Sequence, residues 1–192
     1  MRILFITLIL LLQFGLAIFA QENNTKVIIV TGDKNLDEII STFNAKTDSA
    51  LQVTLKKPYP RFTAISLTGD TVTERDLLGK VTFIDFWFSS CSPCIAAFGD
   101  IEKLYNELKN DHRFQFISFC TDPVERVTES VRKYQLPYPV YPIKREQFPT
   151  LLVKGFPVNL IVNQQGKIIH YKSVGSTDME DIEQIIKNVL RK

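Results

Sequence analysis

Cysteine and histidine are scarce in this chain of 192 residues, which has three of the first and two of the second. Cys91, Cys94, Cys120, His112 and His170 are the whole set, and no second paired spacing completes a four-ligand zinc site. Ile95 follows Cys94 where covalent haem attachment would need His. Net charge is also small: 23 basic against 21 acidic residues leave +2, and the basic residues are scattered rather than striped. That excludes an electrostatic footprint for nucleic acid. Internal repeats and low-complexity tracts are absent. What remains suits one domain with an extension, and 45% hydrophobic content with 14 Phe is ample for a packed core.

One long apolar run exists, and it stands at the start. "MRILFITLILLLQFGLAIFA" carries Arg2, then a nearly unbroken apolar run interrupted by Gln13 and Gly15, and ends on small Ala20 before polar "QENN". The pattern predicts a secretory signal peptide over residues 1–20. The alternative is an uncleaved membrane anchor, since about seventeen apolar residues are barely enough to span a bilayer and Ile18 stands where a smaller residue is usual. Both readings export the body of the protein, into the periplasm if the source is Gram-negative, and an oxidising compartment changes how cysteines are read. Residues 21–57 form an extension of no evident chemical character, with short strands expected at "KVIIV" and "LQVTL" and a helix at "NLDEIISTF". Pro58 and Pro60 mark the boundary, and residues 58–192 form the main domain.

From Val81 the chain alternates strands and helices. "VTFIDFWF" is apolar almost throughout, as a strand buried on both faces should be. Phe98, Ile101, Leu104, Tyr105 and Leu108 recur at helical spacing, so one helix is expected from the cysteines to about Asn110. "FQFISFC" is a second buried strand ending at Cys120. A helix follows, with Asp122 as its expected N-cap, Pro123 first inside it, and Val124, Val127 and Val131 facing inward. "VNLIV", "NQQG" and "KIIHYKSVG" read as an antiparallel hairpin. The closing helix has an expected capping box at Thr177 and Glu180, with Met179, Ile182, Ile186 and Val189 inward. The sum is an α/β fold: a central mixed sheet flanked by helices, with an N-terminal extension.

The cysteine pair falls where the central strand gives way to a helix, the edge of an α/β sheet at which sites form. There Cys91 is expected just outside the first turn as an exposed thiol whose thiolate the helix N-terminus favours. Cys94 lies one turn inward, better shielded, and Pro93 stiffens the link and keeps the sulfurs within bonding reach. An inert disulfide closing so short a loop would constrain the unfolded chain little. Redox chemistry therefore leads, with a copper site of Cys91, Cys94 and His170 as the rival. That rival has a spacing against it, since copper-delivery proteins of this kind separate their cysteines by three residues, not two.

"IDFWFSSCSPC", "KGFPVNLIV" and the hairpin-plus-helix ending resemble the thioredoxin superfamily. "FTAISLTGDTVTERDLLGKVTFIDFW" resembles its exported TlpA/ResA-like branch, and the likeness covers about residues 60–191. The resemblance implies a thioredoxin-like fold and a thiol–disulfide oxidoreductase needing no cofactor beyond its own dithiol. Its substrates would be disulfides of exported proteins, and a membrane electron donor would recharge it. In such a protein Cys91 attacks and Cys94 resolves. Pro157 matches a cis-proline facing the cysteines, with the Phe156 backbone pairing to substrate, and Asp85 matches a buried acid that exchanges a proton with the inner cysteine. Trp87 either lines the site or packs beneath it. Ala97 and Gly99 stand where many relatives of that branch have Glu and Pro, so the acid that tunes cysteine acidity there is absent. Cys120 is expected to be an inert core thiol.

Overall fold

The computed structural model describes residues 55–191 except 174 and 176. The expected leader and all but the last three residues of the extension lie outside the described residues. A five-stranded mixed sheet forms the centre, in the order β5-β4-β3-β6-β7. Its strands are β3 (Val81–Trp87), β4 (Phe114–Cys120), β5 (Val140–Pro142), β6 (Val158–Val162) and β7 (Ile168–Ser173). β3 pairs parallel with β4, and β4 with β5, while β6 runs antiparallel to both β3 and β7. A separate antiparallel hairpin joins β1 (Thr63–Ile65) to β2 (Thr71–Thr73). This is the central mixed sheet that the sequence predicts.

Every residue of β3 is buried, which explains its unbroken apolar run. Alternation along the strand then divides the core in two. Phe83 and Trp87 face one layer, with Ile101, Leu104, Phe116, Ile161, Ile182 and Ile186. Ile84 and Phe86 face the other, with Leu77, Phe119, Leu160 and Val162. The first layer is roofed by α2 (Phe98–Leu108) and α5 (Met179–Leu190), the short α4 being Phe148–Leu151. Between β6 and β7, Asn163 Oδ1 accepts the N–H groups of Gln165 and Lys167, and Gly166 turns the chain at φ +72°. A side chain at Gly166 would also meet Leu78, 3.1 Å from an added Cβ. Lys56 N–H donates to Ile168 O and Lys57 O accepts the Ile168 N–H, so the chain already lies along this hairpin before Pro58.

Four local expectations change. The helix after the cysteines is two pieces, α1 (Ser92–Ala96) and α2, joined at Ala97, whose N–H bonds Cys94 O three residues back. Helix α3 (Val124–Tyr134) is capped by Pro123 rather than Asp122, because Pro123 has the extended ψ of 147° and helical geometry begins only after it. Val124 is consequently 53% exposed, while Val127 is buried and Val131 packs partly on the core. At α5 the cap is Asp178, whose carboxylate accepts the Asp181 N–H at 3.2 Å, in place of a Thr177–Glu180 box. The inward residues of that helix are Ile182, Ile186 and Leu190, with Met179 and Val189 partly buried beside them.

Candidate active site

β3 ends at Trp87, and residues 88–91 turn the chain into α1. Cys91 N–H bonds Phe88 O at 3.0 Å, and Cys91 O accepts the Ile95 N–H that opens the helix. Cys91 is thus the N-cap residue, with Ser92 and Pro93 in the first turn. Proline costs nothing there, because the first N–H groups of a helix have no partner within it. Cys91 and Cys94 are joined as a disulfide with Cα atoms 5.3 Å apart. Cys91 is 4% exposed and Cys94 2%. The expectation of an exposed Cys91 is therefore wrong for the disulfide form: bonded to Cys94, it sits in the apolar layer that also holds Trp87, Phe98 and partly buried Phe156.

The Phe156–Pro157 peptide is cis. Register carries it to the site: Val158 pairs with Phe86, so Pro157 meets the end of β3 from which the cysteine loop departs. Beside it the rings of Phe156 and Phe88 meet edge to face, 5.0 Å between centroids.

A polar rung crosses the sheet beneath this loop. Asp85 on β3 is flanked by Ser118 on β4 and Asn159 on β6, all three buried. Asn159 Nδ2 donates to Asp85 Oδ1 at 2.9 Å, and Asp85 Oδ2 has no partner among the described residues. Burial pushes the Asp85 carboxyl up to about 7, against the lowering effect of the Asn159 hydrogen bond. Trp87 has no exposed surface and donates its indole N–H to Ser118 Oγ at 2.8 Å. Its place is under the cysteines, where it cannot touch a protein substrate.

Such an arrangement has a definite chemical capacity. Two sulfurs close enough to bond, a helix start beneath them and a buried carboxyl with a raised proton affinity suit the making and breaking of a disulfide. The AhpC/TSA family matches residues 55–171. The chain belongs to that family. It is 27% identical over 129 residues to the thiol-disulfide oxidoreductase ResA of Halalkalibacterium halodurans, covering 66% of this chain and 73% of that protein. The thioredoxin domain of a thiol-disulfide oxidoreductase from Bacteroides vulgatus superposes with a TM-score of 0.60 at 25% identity, covering 69% of this chain and 97% of that one. A thiol:disulfide interchange protein from a Bacteroides species gives a TM-score of 0.59 at 25% identity, covering 69% and 90%. The fold is thioredoxin-like, and the protein is a thioredoxin-like thiol–disulfide oxidoreductase.

The remaining residues of interest fall elsewhere in this oxidoreductase. Cys120 is a free, fully buried thiol, and burial pushes it up to about 12. His170 does not join the cysteines. It pairs with Ile161, which pairs with Phe83, well down the sheet from Trp87, and its Nδ1 faces Asp181 at 3.9 Å. Among the described residues no three His, Cys, Asp or Glu side chains cluster as a metal site, so the copper reading with His170 finds no support. Sequence reasoning missed Asn159, a lone amide in an apolar strand, and Asp122, whose carboxylate accepts the Ser89 N–H at 2.6 Å.

Proposed function

We propose that this oxidoreductase reduces disulfides of exported proteins through Cys91 and Cys94. The observation that carries the reading is the bonded Cys91–Cys94 pair at the end of β3, with the cis Phe156–Pro157 peptide beside it. The Cys91 thiolate attacks one sulfur of a substrate disulfide, the other substrate sulfur leaves as thiolate, and a mixed disulfide forms. Cys94, deprotonated by Asp85, attacks the Cys91 sulfur and releases the second substrate thiol. Two electrons have passed to the substrate, and a dithiol donor at the membrane restores them. Backbone at Phe156, held by the cis bond, pairs with an extended substrate segment, with Pro157 closing the groove; Trp87 supports the loop from below. The chemistry runs on sulfur alone, and no cofactor takes part. Export by the N-terminal segment, to the periplasm in a Gram-negative cell, places the enzyme where such substrates occur.

Trapping tests the assignment. Cys94→Ser should accumulate mixed disulfides on Cys91 when mixed with reduced-and-reoxidised protein substrates, and Cys91→Ser should accumulate none. Accumulation on Cys94 in the Cys91→Ser variant would reverse the two roles, and loss of neither activity nor trapping specificity would remove the pair from the mechanism.

A further inference from the structure

Asp122 is freed from helix capping, and its carboxylate has three neighbours. Oδ2 accepts the backbone N–H of Ser89 at 2.6 Å and lies 3.9 Å from the Cys120 thiol, while Oδ1 faces the Arg126 guanidinium at 3.8 Å. The Asp122 side chain is only 14% exposed, and Arg126 remains largely in solvent. Of the three contacts, the first alone is short and charge-assisted, the strong kind of hydrogen bond. Its donor is the second of the three residues, 88–90, that lead from β3 to Cys91. A further bond, from Thr121 N–H to Trp87 O at 3.1 Å, extends the β3–β4 pairing to the foot of the same loop. The two bonds clamp the loop from β4, on the side away from the cis Phe156–Pro157 peptide.

We infer that Asp122 is a positioning residue for the redox pair: by holding Ser89 it fixes the loop so that Cys91 stands within bonding reach of Cys94. The inference rests on the reading of Cys91–Cys94 as the redox pair. The physical argument concerns the reduced form. Once the disulfide opens, nothing covalent holds Cys91 near Cys94, and every extra loop conformation dilutes one thiol relative to the other. A tether that survives reduction keeps their effective concentration high and so favours the disulfide. Removing it weakens the disulfide relative to the dithiol. General loss of stability, affecting both forms alike, leaves that ratio unchanged.

Equilibration with glutathione reads the ratio directly: the dithiol plus glutathione disulfide gives the protein disulfide plus two glutathione thiols, and quenched alkylation counts each form. Asp122→Ala should lower this equilibrium constant about tenfold, the equivalent of freeing one residue's backbone, which is about 30 mV toward the oxidising side. Asp122→Asn keeps an acceptor oxygen for Ser89 but gives up the charge assistance, so its shift should fall clearly short of that in Asp122→Ala. An unchanged constant in Asp122→Ala overturns the inference. Equal shifts in both variants overturn it too, since the carboxylate charge would then be the cause. Should Asp122→Ala fail to fold, amide exchange at Ser89 in the parent decides: protection like that of a strand amide upholds the tether, and exchange at the solvent rate ends it. If the parent itself shows no exchange between glutathione and Cys91–Cys94, the redox-pair reading has failed. That outcome stands apart from the others because it is read at the parent's own cysteines, whatever Asp122 or Ser89 does.

Discussion

Asn159 reaches across from β6 and gives a side-chain N–H to Asp85 Oδ1 at 2.9 Å, leaving Oδ2 without a partner among the described residues in a carboxyl that is 2% exposed. The two are register partners, so the contact is built into the sheet rather than reached by a flexible arm. One donor softens the cost of burying the charge without removing it. The group is therefore held near the point where it gains and loses a proton at neutral pH.

Asn159→Leu should expose that balance. The leucine matches the amide in volume but donates nothing, so ionised Asp85 loses the Asn159 donor while neutral Asp85 loses less. Urea unfolding should show a cost of about 1–3 kcal/mol at alkaline pH and a smaller one near pH 5. An equal cost at both pH values would mean that Asn159 bonds the neutral acid as well as the anion.

Direction of electron flow is set by the pair itself. The dipeptide between the cysteines is Ser92-Pro93, with no histidine to stabilise a thiolate, and the Glu that tunes acidity in the related branch is Ala97 here. The Cys91–Cys94 potential should then lie at roughly −210 to −280 mV, the span from glutaredoxins to thioredoxin. Insulin-type disulfide reduction should follow from it. A value near roughly −120 mV, that of a strong oxidant, would make the enzyme an oxidase.

Much of this site was legible because its parts have strong local signatures. The apolar run of β3, the Cys91–Cys94 spacing and Pro157 after Gly155-Phe156 each announce themselves within a few residues. The polar contacts did not, because they join distant strands. Asn159 is explained only by the β3–β6 register, and Asp122 fits a helix cap by sequence, as an acid before Pro-Val-Glu. What competed was a tertiary acceptor role 33 residues away, at Ser89. Burial of Cys91 is hidden for a related reason: position beside a helix start says nothing of Phe88 and Phe156, which the fold packs on the same layer.

Cys120 has the environment of a packing residue. It is fully buried at the end of β4, paired in register with Trp87, and burial makes its thiol reluctant to ionise. Cys120→Ala should cost about 1–2 kcal/mol through the small cavity it leaves and leave turnover intact. A variant that folds normally yet loses insulin reduction would bring Cys120 into the mechanism.

Asp85→Asn tests the proton path and the linkage together. The Asp85 carboxyl rises from an ordinary 3.8 to about 7 on folding, with desolvation the main cause. A group whose folded value is raised stabilises below its unfolded value and loses that contribution as pH climbs toward the folded one. Parent stability should thus fall between about pH 4 and 7, by on the order of 4 kcal/mol at most, and level off above. Asp85→Asn has no such group, so it should lack that fall, and its stability should exceed the parent's at pH 8. Kinetics supply the functional half. The first attack by Cys91 needs no base at Asp85 and should change little, whereas resolution by Cys94 should slow roughly tenfold or more, as expected for a lost general base. Single-turnover measurements from about pH 6 to 8, where the raised carboxyl titrates, time both steps. Resolution at the parent rate throughout, even with the stability slope abolished, would leave Asp85 as a buried acid without a part in proton transfer.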